Sequence, residues 1–268
     1  MRFNRLACYL AIILFWFFVL PIAYAEDVVT YESLDRIFNR DIHEGLIDYR
    51  EIKQTGLSDL DSYFGLVTQL STERLNSFSR EDQIAFWINT YNAGVIREIL
   101  KKYPLSKVAD NPEIFLSEAI QLADQNLSLA KIQNGFLRER FRDERILTAL
   151  VSGRKDSPKL SNLVYRGTTI EDQLNEAARL FAEDITKNRI IPGKKKIFLS
   201  PLLRKYQNDF IVKFGVLQES KGVSESEAAV LGFLIYHVKD SAMRLFLDSG
   251  SYKVKYLPED SHLNEYRL

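Results

Sequence analysis

The sequence predicts an α+β fold, a predominantly helical single domain with a small β-sheet and hairpins. Three observations predict it. Apolar residues recur at helical spacing in several long segments. Short strand-like runs flank clusters of turn residues. No Pro/Gly/Ser-rich linker, internal repeat or low-complexity tract divides residues 26–268, which read as one globular unit.

The first 25 residues are set apart. Arg2 and Arg5 give a positive start, an apolar run follows from residue 6 to residue 20, and Ala23-Tyr24-Ala25 offers a small-x-small cleavage site. This is the layout of a secretory signal peptide. The run is short for a membrane span, which needs about 20 apolar residues. Cleavage is therefore expected, with a periplasmic or secreted product; the alternative is an N-terminal membrane anchor.

Residues 28–39 place Tyr31, Leu34, Ile37 and Phe38 on one helical stripe, and residues 57–70 do the same with Leu60, Tyr63, Phe64 and Val67. Between them, His43-Glu44-Gly45 reads as a turn before a short extended piece at 46–49. Ser79 caps a central helix that runs to about Lys102, where Pro104 blocks continuation. Residues 119–129 read as a hairpin turning at Asp124-Gln125-Asn126, and Ser128 caps a helix over 129–140. Residues 146–151 are expected as a buried strand that joins the hairpins in the small sheet, and 152–158 as a polar loop. Thr168 with Glu171 suggests a capping box for an amphipathic helix reaching Ile185. Residues 190–199 form a hairpin about Pro192-Gly193, and Ser200-Pro201 starts another helix. Ser224 with Glu227 caps an apolar helix through Val238, and residues 252–257 form a last strand.

Charge and composition exclude several classes. The 36 basic and 36 acidic residues balance, and loss of Arg2 and Arg5 leaves 34 against 36, a net charge of −2. Neither nucleic acid nor an anionic membrane surface is expected as a partner. The single cysteine, Cys8, falls within the signal peptide, so the mature chain has no disulfide, thiolate ligand or cysteine nucleophile. The three histidines, His43, His237 and His262, lack metal-ligand spacing, so no metal and no cofactor is expected. His237 ends an apolar helical run and reads as a packed core residue. There is no P-loop, dinucleotide fingerprint or nucleophile elbow.

Two segments stand out. In the central helix, Asn89 and Asn92 sit three residues apart among Trp87, Tyr91 and other apolar residues. They share a face, and buried amides must find partners, so they either pin the fold or line a pocket. The loop Ser152-Gly153-Arg154-Lys155-Asp156-Ser157-Pro158 is small, polar and positively charged, a composition that suits an anion or a nucleophile. Candidate binding residues are Trp87, Asn89, Tyr91, Asn92, Ser152 and Arg154, and the candidate catalytic residue is Ser157. The charged stretch 138–145 reads as a solvated helix end with ion pairs, the alternative being a substrate clamp.

Taken together, these segments resemble the family called "domain of unknown function 547". The similarity lies chiefly in Ala85-Phe86-Trp87-Ile88-Asn89-Thr90-Tyr91-Asn92-Ala93, with support from Gly45-Leu46-Ile47-Asp48-Tyr49 and from Asp260, Leu263 and Asn264, and it extends over nearly all of the mature chain. Relative to the family pattern, serine replaces cysteine at Ser157 and near Ser152, Asn134 replaces a histidine, and Leu147 aligns with another. A cysteine with histidines implies thiol-hydrolase or thiol-transferase chemistry for such members. Serine without an activating base is a much weaker nucleophile. The expectation is an exported, non-catalytic binding or interaction protein with an unidentified ligand or protein partner. The alternative is a hydrolase using Ser157.

Overall fold

The structure is a computed structural model that describes residues 29–215 and 224–267. The predicted signal peptide lies outside the described residues, as does Val28 at the start of the first expected helix. Among the described residues no helix is long and apolar enough to cross a membrane.

The fold is α+β and mostly helical, as the periodicity predicts. Its axis is the helix Arg80–Lys102. Ser79 caps it, with its hydroxyl accepting from the Asp82 N–H at 3.0 Å. Asp82 does not close a capping box on the main chain; its carboxylate accepts from the Ser79 hydroxyl at 2.5 Å. Nearly every residue from Gln83 to Ile96 is buried, so neighbours cover the helix on all sides. Close approach is built in at Gly94, where an added Cβ would lie 2.7 Å from Leu129 Cδ2 and 2.9 Å from Ile120 Cδ1.

Around this axis the helices Glu32–Asp41 and Leu57–Val67 bury Leu34, Ile37, Phe38, Leu60, Tyr63, Phe64 and Val67 on their predicted stripes. The predicted hairpin forms from Ile120–Gln121 and Asn126–Leu127. Ser128 caps the following helix, whose Oγ accepts from the Lys131 N–H at 3.1 Å. After Leu129–Lys131 that helix widens into a π-helix, Ile132–Glu139. Such stretches are uncommon and often mark functional sites.

Two expectations about local structure are corrected. Residues 146–151 are not a strand. Ile146–Ala149 is a short helix, and Ala149 and Val151 bond to a side chain of the central helix instead of to a neighbouring strand. An apolar run this short carries no period to separate strand from helix. The Thr168–Glu171 capping box does not form either. The helix Ile170–Glu183 is entered through a 3-10 turn, Gly167–Thr169, and the Glu171 carboxylate accepts from Arg145 at 2.9 Å.

The sheet is also assembled differently. The β-structure falls into two two-stranded hairpins and one three-stranded sheet. In the latter, Arg189–Ile191 pairs antiparallel with Lys196–Leu199, which pairs parallel with Lys253–Tyr256. The parallel pair is joined by a long connection through several helices, as such a pair requires, and the last of them, Ser241–Asp248, is one that the sequence reading left unassigned.

Two hydrophobic clusters result. The first surrounds the central helix; the second gathers Phe181, Leu199, Leu203, Phe210, Phe214, Phe233 and Leu247. The helix Ile170–Glu183 gives Ile170 and Leu174 to the first, and Ala178, Phe181 and Ala182 to the second. Neighbouring Ile146 and Leu147 divide in the same way.

His237 belongs to the second layer and is buried, packed against Phe233 at 4.6 Å and Tyr236 at 5.0 Å between ring centroids. Its Nε2 has no hydrogen-bond partner among the described residues. Burial, reinforced by the positive Lys213 and Arg145, holds its pKa down at about 4, against 6.5 for a free imidazole. The unfolded chain therefore binds a proton here that the folded chain refuses between those values. The stability that neutral His237 contributes is complete above about pH 6.5 and is lost as pH falls toward 4. Unfolding free energy from urea melts is expected to fall by up to about 3 kcal/mol over that window on account of this group. His237→Gln is expected to flatten the slope; an unchanged slope would exclude the assignment.

Candidate functional site

The two amides of the central helix meet main chain at both ends. Asn89 Nδ2 donates to the Tyr165 carbonyl at 2.7 Å, and its Oδ1 accepts from the Tyr165 N–H at 2.9 Å. Asn92 Nδ2 donates to the Ala149 carbonyl at 2.9 Å, and its Oδ1 accepts from the Val151 N–H at 3.0 Å. Both side chains are fully buried. Each acts as a neighbouring strand would, satisfying a donor and an acceptor of an irregular segment. Trp87 is also buried, with its ring 4.4 Å from that of Phe136 on the inner side of the π-helix.

Asn92 thereby fixes the start of the 152–158 loop, and the C-terminal segment fixes the rest. Gly153 O accepts from the Asn264 N–H at 2.9 Å, the Lys155 N–H donates to His262 O at 2.8 Å, and the Asp156 N–H donates to Asp260 O at 3.2 Å. The Asn264 side chain accepts from the Tyr49 hydroxyl at 2.9 Å. Isolated polar signals of the sequence, Tyr49, Asp260 and Asn264, thus converge on one strap. Gly153 has φ +70°, and a Cβ there would lie 2.2 Å from Ile99 Cδ1, so the loop lies directly on the central helix. Lys187 is buried behind the loop and donates from Nζ to the Lys155 carbonyl. Burial lowers its pKa, against the pull of Asp184, Asp156 and Asp260.

Opposite the π-helix this loop forms one side of a cleft of about 740 Å³. The π-helix contributes Gln133, Asn134 and Arg138; the loop contributes Ser152, Arg154, Asp156 and Ser157; the 108–116 segment and the helix Pro201–Lys205 close the other sides. The floor includes Tyr91. Of the residues singled out in the sequence, the structure brings Tyr91, Ser152, Arg154 and Ser157 to this cleft, while Trp87, Asn89 and Asn92 lie behind it in the core. The positions where the resemblance implies cysteine and histidine, Ser157, Ser152 and Asn134, share the cleft; Leu147 does not and packs in the second cluster.

Ser157 is buried, and its hydroxyl donates to the Arg154 carbonyl at 2.7 Å. Its other contact, at 3.3 Å, is also a main-chain carbonyl, that of Pro158. A carbonyl oxygen holds the proton without taking it, so neither contact activates the oxygen. Arg154 is committed to Asp156 through Nε at 2.9 Å and through its terminal nitrogen at 2.7 Å, and reaches Glu259 at 2.8 Å. Arg138 pairs with both oxygens of Asp209, at 2.7 and 2.9 Å, and its guanidinium lies 4.3 Å from the Tyr206 ring centroid. It also donates to Asn134 Oδ1 at 2.6 Å.

The 138–145 stretch is only in part the solvated helix end with ion pairs that its composition suggests: Glu139, Arg140 and Arg142 are exposed, whereas Arg138 and Arg145 are not. Arg138 lines the cleft, and Arg145 is buried and bonded to Asp143, Glu171 and Asn175. Gln133, Lys205, Tyr206 and Glu259 escaped the sequence reading because each is an ordinary surface residue locally, and only packing gathers them. The four-residue spacing of Asn134 and Arg138 was the available signal. Among the described residues no cluster of His, Cys, Asp or Glu could hold a metal ion.

Residues 75–182 match the model of the family described as "Protein of unknown function, DUF547". The resemblance read from the 85–93 motif is shown by that match. The matched span holds the central helix, the π-helix and the 152–158 loop, and stops short of the 201–205 wall and the C-terminal strap. No curated protein and no solved structure matches the chain.

Asn92→Ala would leave the Ala149 carbonyl and the Val151 N–H buried without partners, and Asn89→Ala would do the same at Tyr165. Each is expected to cost about 2–6 kcal/mol in urea unfolding, from about 1–3 kcal/mol for each of two unsatisfied groups. A loss below about 0.5 kcal/mol, within the range of ordinary surface substitutions, would show that the amides do not hold these segments.

Proposed function

We propose that the protein is an exported, non-catalytic binding protein whose ligand occupies the cleft between the π-helix and the 152–158 loop. The observation that carries this reading is the state of Ser157. It stands where the resemblance implies a cysteine, and its hydroxyl donates to a main-chain carbonyl. At the position implied for a histidine stands Asn134, an amide that cannot take a proton at neutral pH. The competing reading, a hydrolase using Ser157, draws on the same cleft, but needs a base to activate the hydroxyl. Export follows from the layout of residues 1–25, and neither nucleic acid nor a membrane surface is a partner in this reading.

Three measurements test it. The purified chain is expected to show no covalent adduct at Ser157 after treatment with a fluorophosphonate, under conditions that label a control serine hydrolase fully. It is also expected to release no amine from a panel of peptide and amide substrates. Turnover abolished by Ser157→Ala would establish the hydrolase instead. Mass spectrometry of the full chain expressed with its leader is expected to find Glu26 as the first residue; retention of residues 1–25 in a membrane fraction would support an anchor.

A further inference from the structure

The cleft contains polar groups that the described chain leaves without partners. Tyr91 is only 2 % exposed and lines the cleft, yet its hydroxyl bonds to no described residue. Burial pushes its pKa up, so it remains a protonated donor. The Ser152 hydroxyl is likewise unbonded among the described residues, and it lines the same wall. Asn134 spends its carbonyl oxygen on Arg138 and keeps its amide N–H groups. Gln133 spends an N–H on the Tyr206 hydroxyl at 3.2 Å and keeps its carbonyl oxygen. The result is a set of uncharged donors with an acceptor beside them.

The charges around the cleft are already balanced. Arg138 is answered by Asp209, and Arg154 by Asp156 and Glu259. Glu259, the second carboxylate on Arg154, has its pKa lowered chiefly by Arg154, with a smaller contribution from the positive Lys205. Nothing here asks for a charged ligand. The remaining side is apolar: Val108, Pro112, Phe115 and Leu116 line it, and Leu116 is 66 % exposed.

We propose that the cleft binds an uncharged amide, the internal peptide bond of an extended polypeptide segment whose apolar side chain lies against Val108, Pro112, Phe115 and Leu116. The carbonyl of that bond would accept from Tyr91 or Asn134, and its N–H would meet Gln133 Oε1. An amide presents this donor and acceptor together, and losing either partner is costly once the site is desolvated. A sugar would share the hydroxyl chemistry, but it favours an open aromatic face. Of the rings that line the cleft, Tyr91 and Tyr206 are buried and Tyr206 carries the Arg138 guanidinium over it, which leaves only the half-buried Phe115. This inference rests on the non-catalytic reading above.

The test is isothermal titration with N-acetyl-leucyl-phenylalanine amide, its ester analogue lacking the central N–H, and cellobiose, a sugar with no amide. The blocked dipeptide is expected to bind, with an affinity that changes by less than about twofold between 0.05 and 0.5 M NaCl, because no ion pair forms. The ester is expected to bind about 3- to 10-fold more weakly, and Tyr91→Phe and Asn134→Leu are each expected to weaken the dipeptide by a similar factor. Tyr91→Phe is expected to leave the melting temperature at or above wild type, because its hydroxyl bonds to no described residue. No binding up to about 10 mM, where only contacts weaker than a specific site remain, would overturn the proposal. So would binding of the cellobiose alone, or dipeptide binding indifferent to both substitutions. Chromatography of the same samples separates the two readings: cleavage of the dipeptide would defeat the non-catalytic one.

Discussion

The paired hydrogen bonds that Asn89 and Asn92 make to main chain are the constraint on which the rest of this structure depends. Residues 150–166 include a loop and irregular segments with little regular structure of their own, yet much of this region is buried against the central helix. Buried main-chain groups must be satisfied. Two side-chain amides, one turn apart on Arg80–Lys102, satisfy the Tyr165, Ala149 and Val151 groups directly. The helix therefore acts as the neighbouring strand that these segments lack. Ser152 and Ser157 hold their places in the cleft because Val151 is pinned.

The cleft is framed by elements from both hydrophobic clusters. The π-helix packs Phe136 on Trp87 of the first cluster, while Pro201–Lys205 and Tyr206 belong to the side of the second. Arg138 ties the two together by pairing with Asp209 and covering Tyr206. Such a seam is a common place for a ligand site, because facing surfaces leave a concavity that neither core fills. The C-terminal strap adds rigidity by bonding Gly153, Lys155 and Asp156 through main chain. Ligand recognition here would draw on a preorganised wall, which lowers the ordering cost of binding.

The helices were legible because each buries a stripe at a fixed spacing. The stripes of Glu32–Asp41 and Leu57–Val67 and the caps Ser79, Ser128, Ser200 and Ser224 all follow from local rules. The misread elements share a cause. Residues 146–151 are too short and too uniformly apolar to carry a period. Thr168 is not the helix cap because the chain enters through the 3-10 turn Gly167–Thr169, and the Glu171 carboxylate meets Arg145, distant in sequence. The 138–145 charges looked solvated because nothing nearby in sequence announces Asp209 or Tyr206. In each case a tertiary partner overrode a local preference.

By itself the sequence determined that the chain is mainly helical, that Asn89 and Asn92 must be satisfied if buried, and that the 152–158 loop differs from the pattern it resembles at Ser157. Those are statements about spacing and chemistry along a few turns of chain. Only the tertiary structure decided that the two amides pin main chain while their neighbour Tyr91 faces the cleft. The reason is geometric: residues 89 and 92 share a helical face, and residue 91 points away from it toward the π-helix and the loop. Which face meets a wall and which meets a cavity is set by what packs there, and the covering segments come from residues 57 to 76 positions further along the chain.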